Sequence, residues 1–383
     1  MTDSSKIIYV DNAATTELDR EAFEAMLPFL RESWANASQP YTFALSARKA
    51  LKGARETIAA CIGSKSDEIY FTSGGTESDN HALKLGCRLK QGRRGEQCEI
   101  VTSPAEHHAV LNSCAALKRD GLAQVRYAPV TKEGVVTPDA LEGTISPSTT
   151  LVSLMTANNE IGSLAPIAQL TELSHEAGAL FHTDAVAAVG HVSINVSELG
   201  VDMLSASSHK FNGPKGVGFL YVRRGTPLLP FMDGGSQEAG LRAGTENTAC
   251  IVGMAAALKN NVAHLEQNQK HLQELEKLLV ARLRSAAVDF IQNGSEAHKV
   301  AGNVSLSFAH SSGETLLHRL DLKGICVSTG SACDGHTSRT SHVIQAIGTP
   351  PKYASGTIRI SLGKYNTADE VERIAEELIH ILR

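Results

Sequence analysis

Lys210 ends the string Ser207-Ser208-His209-Lys210, which follows the short apolar run Val201-Asp202-Met203-Leu204 and precedes the tight turn Gly213-Pro214-Lys215-Gly216. A lysine ammonium is inert as a nucleophile until it loses its proton. A rigid, partly dry strand end beside other cations lowers its pKa enough to let it bond an aldehyde. Standing alone, a Ser-x-His-Lys string is usually an ordinary surface turn. Its weight here comes from its surroundings.

Upstream, Ala179-Leu180-Phe181-His182-Thr183-Asp184 reads as a buried strand ending in a carboxylate, one βα crossover before Lys210. Farther upstream the strand-like Glu68-Ile69-Tyr70-Phe71 leads through Thr72-Ser73-Gly74-Gly75-Thr76-Glu77 into a helical stretch from Ser78 to Leu89. Glycines there let backbone N–H groups approach an anion, Thr76 offers a hydroxyl, and the helix N-terminus favours negative charge, as in a phosphate cradle. No Gly-Lys-Thr/Ser closes the segment, so it is not a Walker loop, and the later glycines of a dinucleotide fingerprint are missing. By itself the segment is more often a plain glycine-rich β-to-α turn. Amine, acid and phosphate cradle together suit pyridoxal phosphate, whose ring nitrogen needs a carboxylate to stay protonated and act as an electron sink.

Elements that could hold these groups alternate along the chain. Strand-like runs at Ile69-Phe71, Glu99-Val101, Gln124-Tyr127, Leu151-Met155, Ala179-His182, Val201-Ser205 and Gly218-Val222 are separated by helical periods. Such alternation predicts an α/β fold with a mostly parallel sheet covered by helices on both faces. Function should gather at the carboxyl ends of the strands, where Gly74, His107, Asn159, Asp184 and Lys210 fall. From about Ala255 to Ala286 the positions Leu258, Val262, Leu265, Leu272, Leu275, Leu279 and Leu283 predict one long amphipathic helix leading out of the large domain. Thr367-Ala368-Asp369-Glu370 predicts a capping box opening a last helix.

With 383 residues, of which 42% are hydrophobic, the chain can bury a full core and exceeds one ordinary compact unit, so two domains are expected. A net charge of −5 gives no basic field for direct nucleic-acid binding. No apolar stretch approaches membrane-spanning length, and the first residues lack a targeting pattern, which predicts a cytoplasmic protein. The seven cysteines are widely spaced with no Cys-x-x-Cys, indicating neither a disulfide framework nor structural zinc. Six of them read as core fillers, with Cys326 in a strand. Cys333 differs, lying in Ser328-Thr329-Gly330-Ser331-Ala332-Cys333-Asp334-Gly335-His336, a run of small residues without apolar periodicity. Such a thiol is suited to reaching a bound substrate and carrying cargo away. Asp334 would raise its pKa, and His336 and Arg339 would lower it.

These segments, together with Tyr9-Val10-Asp11-Asn12-Ala13-Ala14-Thr15-Thr16, Glu106-His107, Asn158-Asn159-Glu160-Ile161-Gly162, Gly234-Gly235-Ser236-Gln237-Glu238, Arg242-Ala243-Gly244-Thr245-Glu246-Asn247 and Ile358-Arg359-Ile360-Ser361-Leu362-Gly363, run nearly end to end. In them the chain resembles the cysteine desulfurases of the NifS/IscS type, class-V aminotransferase-like enzymes of fold-type I that use pyridoxal phosphate. The resemblance implies a large domain of residues 15–255 with a mostly parallel seven-stranded sheet. A smaller α+β domain of residues 1–14 and 256–383 would carry the catalytic cysteine segment.

The resemblance also implies roles. Lys210 would form the Schiff base and move the Cα proton, His107 would stack on the ring and assist, Asp184 would pair with the ring nitrogen, and Asn159 would bond the phenolic oxygen. Gly75, Thr76, Ser207 and His209 would hold the phosphate, joined by Thr245 from the second subunit of a homodimer. Arg359 would clamp the substrate carboxylate, with Asn36 also on the substrate side. L-cysteine would lose its sulfur to Cys333 as a persulfide, alanine would leave, and an acceptor protein would receive the sulfur.

Several positions depart from the family pattern. Ala187 stands where a glutamine is usual, Ala239 where an arginine is, and Asn36-Ala37-Ser38-Gln39-Pro40-Tyr41-Thr42-Phe43-Ala44 replaces an Asn-Pro-Ser-Ser-x-His-x-x-Gly segment. The stretch from Cys333 to Ser341 is slightly short. These changes leave the sulfur-transfer residues intact and count against a housekeeping role in iron–sulfur assembly. The expected routes for the sulfur are iron–sulfur cluster assembly, or a specialised branch serving thiolation of tRNA, of DNA backbones as phosphorothioate or of one cofactor. A pyridoxal lyase or aminotransferase that does not use Cys333, such as a selenocysteine lyase, and a non-catalytic scaffold are the alternatives.

Overall fold

The computed structural model describes residues 7–90, 98–329 and 340–383. Cys333, Asp334, His336 and Arg339 lie outside the described residues. In chain order the strands are β1 (Ile8–Tyr9), β2 (Ile69–Thr72), β3 (Cys98–Thr102), β4 (Ala123–Tyr127), β5 (Thr149–Ser153) and β6 (Leu180–Asp184). There follow β7 (Met203–Ser207), β8 (Gly218–Val222), β9 (Phe290–Asn293), β10 (Asn303–Phe308), β11 (Ile325–Cys326) and β12 (Thr357–Ser361). Every one of the seven strand runs read between residues 69 and 222 is a strand.

Those seven form one sheet in the order β2-β8-β7-β6-β5-β3-β4. The pairs β3–β4, β3–β5, β5–β6 and β6–β7 are parallel, and β8 runs antiparallel between β7 and β2. Strands β3, β5, β7 and β8 are buried at every position. A strand covered on both faces shows that near-continuous burial, because crossover helices occupy both sides of a parallel sheet. Helices α1 (Arg20–Arg31) and α2 (Leu45–Ile62) pack with Thr248–Ala263 on this layer, and α3 (Gly75–Lys90) and α4 (His108–Arg119) flank the sheet.

The expected long helix is two helices, Thr248–Ala263 and Leu265–Ser285, broken at His264 with φ −113° and ψ 18°. The first is buried through Ile251, Met254, Ala255, Ala257 and Leu258 in the core of the large sheet, while the second sends Leu272, Leu275, Leu279 and Leu283 into another core. Two destinations for one apolar stripe require a change of direction. That second core gathers around the antiparallel sheet β12-β10-β9 and also takes Ile8 and Val10, since β1 pairs in parallel with β11. The closing helix Ala368–Leu382 begins with the expected box, Thr367 and Glu370 capping each other's N–H groups.

Candidate active site

β2 ends at Thr72, and α3 begins three residues later at Gly75. The Thr72 and Ser78 hydroxyls, 2.9 Å apart, brace the turn, and Gly74 takes φ +149°. The space above it is tight: a Cβ on Gly75 would lie 2.5 Å from Val186 Cγ2, and one on Gly218 of β8 would lie 2.7 Å from Gly74 Cα. A cleft of about 400 Å³ opens here, lined among others by Thr15, Gly75, Thr76, Ser207, His209 and Lys215. Burial first, then the charges of Lys210 and Lys215, push His209 down to about 4, so its ring is neutral at pH 7 and Lys215 and the α3 N-terminus are left to favour negative charge in the cleft. The four cradle residues proposed from sequence, Gly75, Thr76, Ser207 and His209, thus line one cleft.

Lys210 follows β7 in a single 3₁₀ turn. Its Nζ donates to the carbonyls of Ala13 (2.5 Å) and Ala14 (2.9 Å), so an N-terminal strap holds the amine. The same strap places Thr15 Oγ1 3.2 Å from His209 Nδ1 and binds the His209 carbonyl through Thr16. Asn212, at φ +61°, turns the chain away by giving its N–H to Thr16 Oγ1.

Asp184 closes β6 and is 4% exposed. Burial pulls its carboxyl upward, while the Val186 N–H (2.9 Å) and the charge of Lys210 pull it down. His107 is the N-cap of α4, its Nδ1 accepting from the Ala109 N–H at 3.1 Å. The proton of the neutral ring therefore sits on Nε2, and burial lowers the pKa and keeps it neutral. A glycine turn tight at Gly75 and Gly218, a lysine one turn past β7 and a buried carboxylate at the end of β6 fit pyridoxal phosphate.

Arg359 lies on β12, an edge strand of the three-stranded sheet that pairs with β10 on one side and meets Ser328 through a single bridge on the other. The guanidinium is 5% exposed, with Nη2 2.7 Å from Asp11 Oδ1 and Nη1 donating to the Asn159 carbonyl at 3.1 Å. Its Nε is buried without a hydrogen-bond partner among the described residues. Asn159 is therefore brought to Arg359 through its backbone. Ser328 exchanges two backbone bonds with Arg359, so the residues entering the Cys333 segment are fixed beside this arginine. Those leaving it are fixed beside His107: Ser341 Oγ donates to Glu160 (2.5 Å), and His342 bonds the Glu106 carbonyl (2.9 Å).

Thr245 is exposed on the loop after Arg242, whose guanidinium grips Glu77 of α3 at 2.8 and 3.1 Å. Asn36 caps its own turn, its Oδ1 accepting from the Ser38 N–H, and its neighbours Ala37 and Ser38 line a different cleft with Arg48 and Glu246. Asp11 and the Ala13 and Ala14 carbonyls were not foreseen as site groups. Their signal was present in Tyr9-Val10-Asp11-Asn12, a charge directly after an apolar pair.

The aminotransferase class-V model matches residues 8–374. The chain belongs to that family. Within it the chain is 46% identical over 378 residues to the cysteine desulfurase IscS of Dictyoglomus turgidum, covering 97% of this chain and 95% of that one. The IscS of Methanosarcina thermophila is 43% identical over 99% of this chain and 93% of its own. Among solved structures a NifS-like protein superposes with a TM-score of 0.91 at 38% identity, covering 98% of this chain and 99% of that chain. The expected α/β architecture of fold-type I, with its mostly parallel seven-stranded sheet, is the one found.

Proposed function

We propose that this chain is a pyridoxal phosphate-dependent cysteine desulfurase that moves the sulfur of L-cysteine onto Cys333. The observation that carries the reading is the convergence of Lys210, Asp184 and His107 beside the glycine cradle, with Arg359 held nearby on Asp11 and Asn159. When bound, pyridoxal phosphate supplies an aldehyde for the substrate amine and a ring that withdraws electrons from Cα. Asp184 holds the proton of the ring nitrogen, and the neutral His107 ring covers the site. Arg359 orients the substrate carboxylate, which leaves the Lys210 amine free to move the Cα proton.

In the overall step the carbon–sulfur bond of cysteine breaks and a sulfur–sulfur bond forms at Cys333. The thiol proton ends on alanine, so L-cysteine and a thiol become L-alanine and a persulfide with no outside oxidant. The backbone ties at Ser328 and the side-chain ties at Ser341 and His342 support delivery of this segment to the site. We further read the chain as a homodimer, supported by the exposed Thr245, and as cytoplasmic, handing its sulfur to an acceptor protein. Among the described residues no helix is long and apolar enough to cross a membrane.

Incubating the native protein and Cys333→Ala with L-cysteine and a thiol reductant, and measuring alanine and sulfide, tests this reading. The variant should release both about a hundredfold more slowly or worse. Equal output from the two would leave Cys333 without a role and favour a pyridoxal lyase.

A further inference from the structure

Beneath the cofactor site lies a second carboxyl that the reaction does not use. Asp79, on the buried face of α3, is 1% exposed, and its carboxyl, that of Asp184 and the imidazole of His107 offer atoms all within 4.8 Å of one another. Neither Asp79 oxygen completes a hydrogen bond among the described residues, although His182 Nε2 stands 3.6 Å from Oδ1. His182 is itself committed, bonding Ser205 Oγ and Ser153 Oγ at 2.9 Å each, and burial pushes its pKa down to about 3, so it brings no positive charge.

The groups facing Asp79 are therefore Asp184 and His182 from β6, the Ser205 hydroxyl from β7, and His107 and Glu106 ahead of α4. No full positive charge lies among them. Two anions this close, both out of water, repel strongly, and one of the pair must keep a proton. Asp184 receives the Val186 N–H and feels the charge of Lys210; Asp79, among the described residues, is offered only the Ser205 hydroxyl against burial and the charge of Asp184. The asymmetry settles which one ionises.

We propose that Asp79 is a positioning residue for the cofactor ring: a carboxylic acid held neutral beneath Asp184, so that the pair carries one negative charge and carries it on Asp184. This rests on the assignment of Asp184 to the ring nitrogen. An anionic Asp79 would oppose the ionised form of Asp184, and the neutral acid leaves Asp184 as the one carboxylate the pyridinium meets.

Isotope-edited infrared spectroscopy of the purified holoenzyme tests the protonation directly. A buried protonated-carboxyl band should vanish in Asp79→Asn and persist in Glu106→Gln, which removes the other candidate acid. In Asp184→Asn the like charge is gone, so the Asp79 band should titrate at a pH lower by about one unit or more. An unchanged band in Asp79→Asn, or an unmoved midpoint in Asp184→Asn, overturns the proposal. Should Asp79→Asn fail to fold, the Asp184→Asn midpoint decides alone. Loss of desulfurase activity enters none of these readings, so failure here is distinct from failure of the proposed function.

Discussion

Arg359 Nη2 lies 2.7 Å from Asp11 Oδ1, an ion pair spanning 348 residues of sequence in which the arginine is almost wholly buried. Asp11 belongs to the strap that also holds Lys210 through Ala13 and Ala14, so one short segment sets both the carboxylate clamp and the amine. Arg359→Lys keeps the charge but loses the planar fork. With charge-assisted bonds worth about 1.5–3 kcal/mol, kcat/KM for L-cysteine should fall by roughly tenfold to a hundredfold. Asp11→Asn keeps an acceptor and should raise KM by less than Asp11→Ala does. Steady-state kinetics on the three variants check the order, and equal KM values in all of them would remove Asp11 from the clamp.

Gly218 of β8 packs where a side chain would meet backbone, 2.4 Å from the Ala206 carbonyl and 2.7 Å from Gly74 Cα. Backbone cannot swing aside as a side-chain tip can. Gly218→Ala should therefore destabilise the chain by about 1–3 kcal/mol and weaken cofactor binding by shifting the Gly74 turn. Urea denaturation and titration with pyridoxal phosphate measure the two effects. Gly121→Ala, with open space around its Cβ position but φ +71°, serves as a comparison far from the cradle.

Two buried groups set opposite slopes of stability against pH. Burial holds His182 down at about 3, so between that value and its unfolded 6.5 the unfolded chain binds an extra proton, and stability falls as pH falls. Burial lifts Glu106 to about 8, against the bonds from Met155 N–H and Ser103, so between 4.5 and 8 the folded chain holds an extra proton and stability falls as pH rises. Each slope is about 1.4 kcal/mol per pH unit. Taken alone, these two contributions sum to a rise from pH 3 to 4.5, no net slope to 6.5, and a fall to 8, onto which Asp79 and His209 add slopes of their own. Denaturation across this range should show a fall between pH 6.5 and 8 that is shallower in Glu106→Gln than in the native chain by about 1.4 kcal/mol per pH unit, the neutral Asp79 keeping its own downward slope. An unchanged slope in Glu106→Gln would remove Glu106 from the pH dependence.

The strand runs and the capping box were legible because burial of a face writes a local period into the sequence. The site was legible at its strand ends for the same reason: Asp184 and Lys210 each close an apolar run. The break at His264 was not, since an apolar stripe at helical spacing does not reveal that its halves enter two cores. Nor were Asp11 and Asp79, whose importance comes from partners distant in the chain, Arg359 in one case and Asp184 in the other. A carboxylate on a helix reads as solvated until the fold shows that its face is inward.

The central claim is that pyridoxal phosphate is held covalently at position 210. Borohydride reduction of the purified protein followed by proteolysis and peptide mass mapping should find one pyridoxyl group, on the peptide bearing Lys210, and none in Lys210→Ala. A reduced protein with no pyridoxyl peptide, or with the label on another lysine, would contradict it.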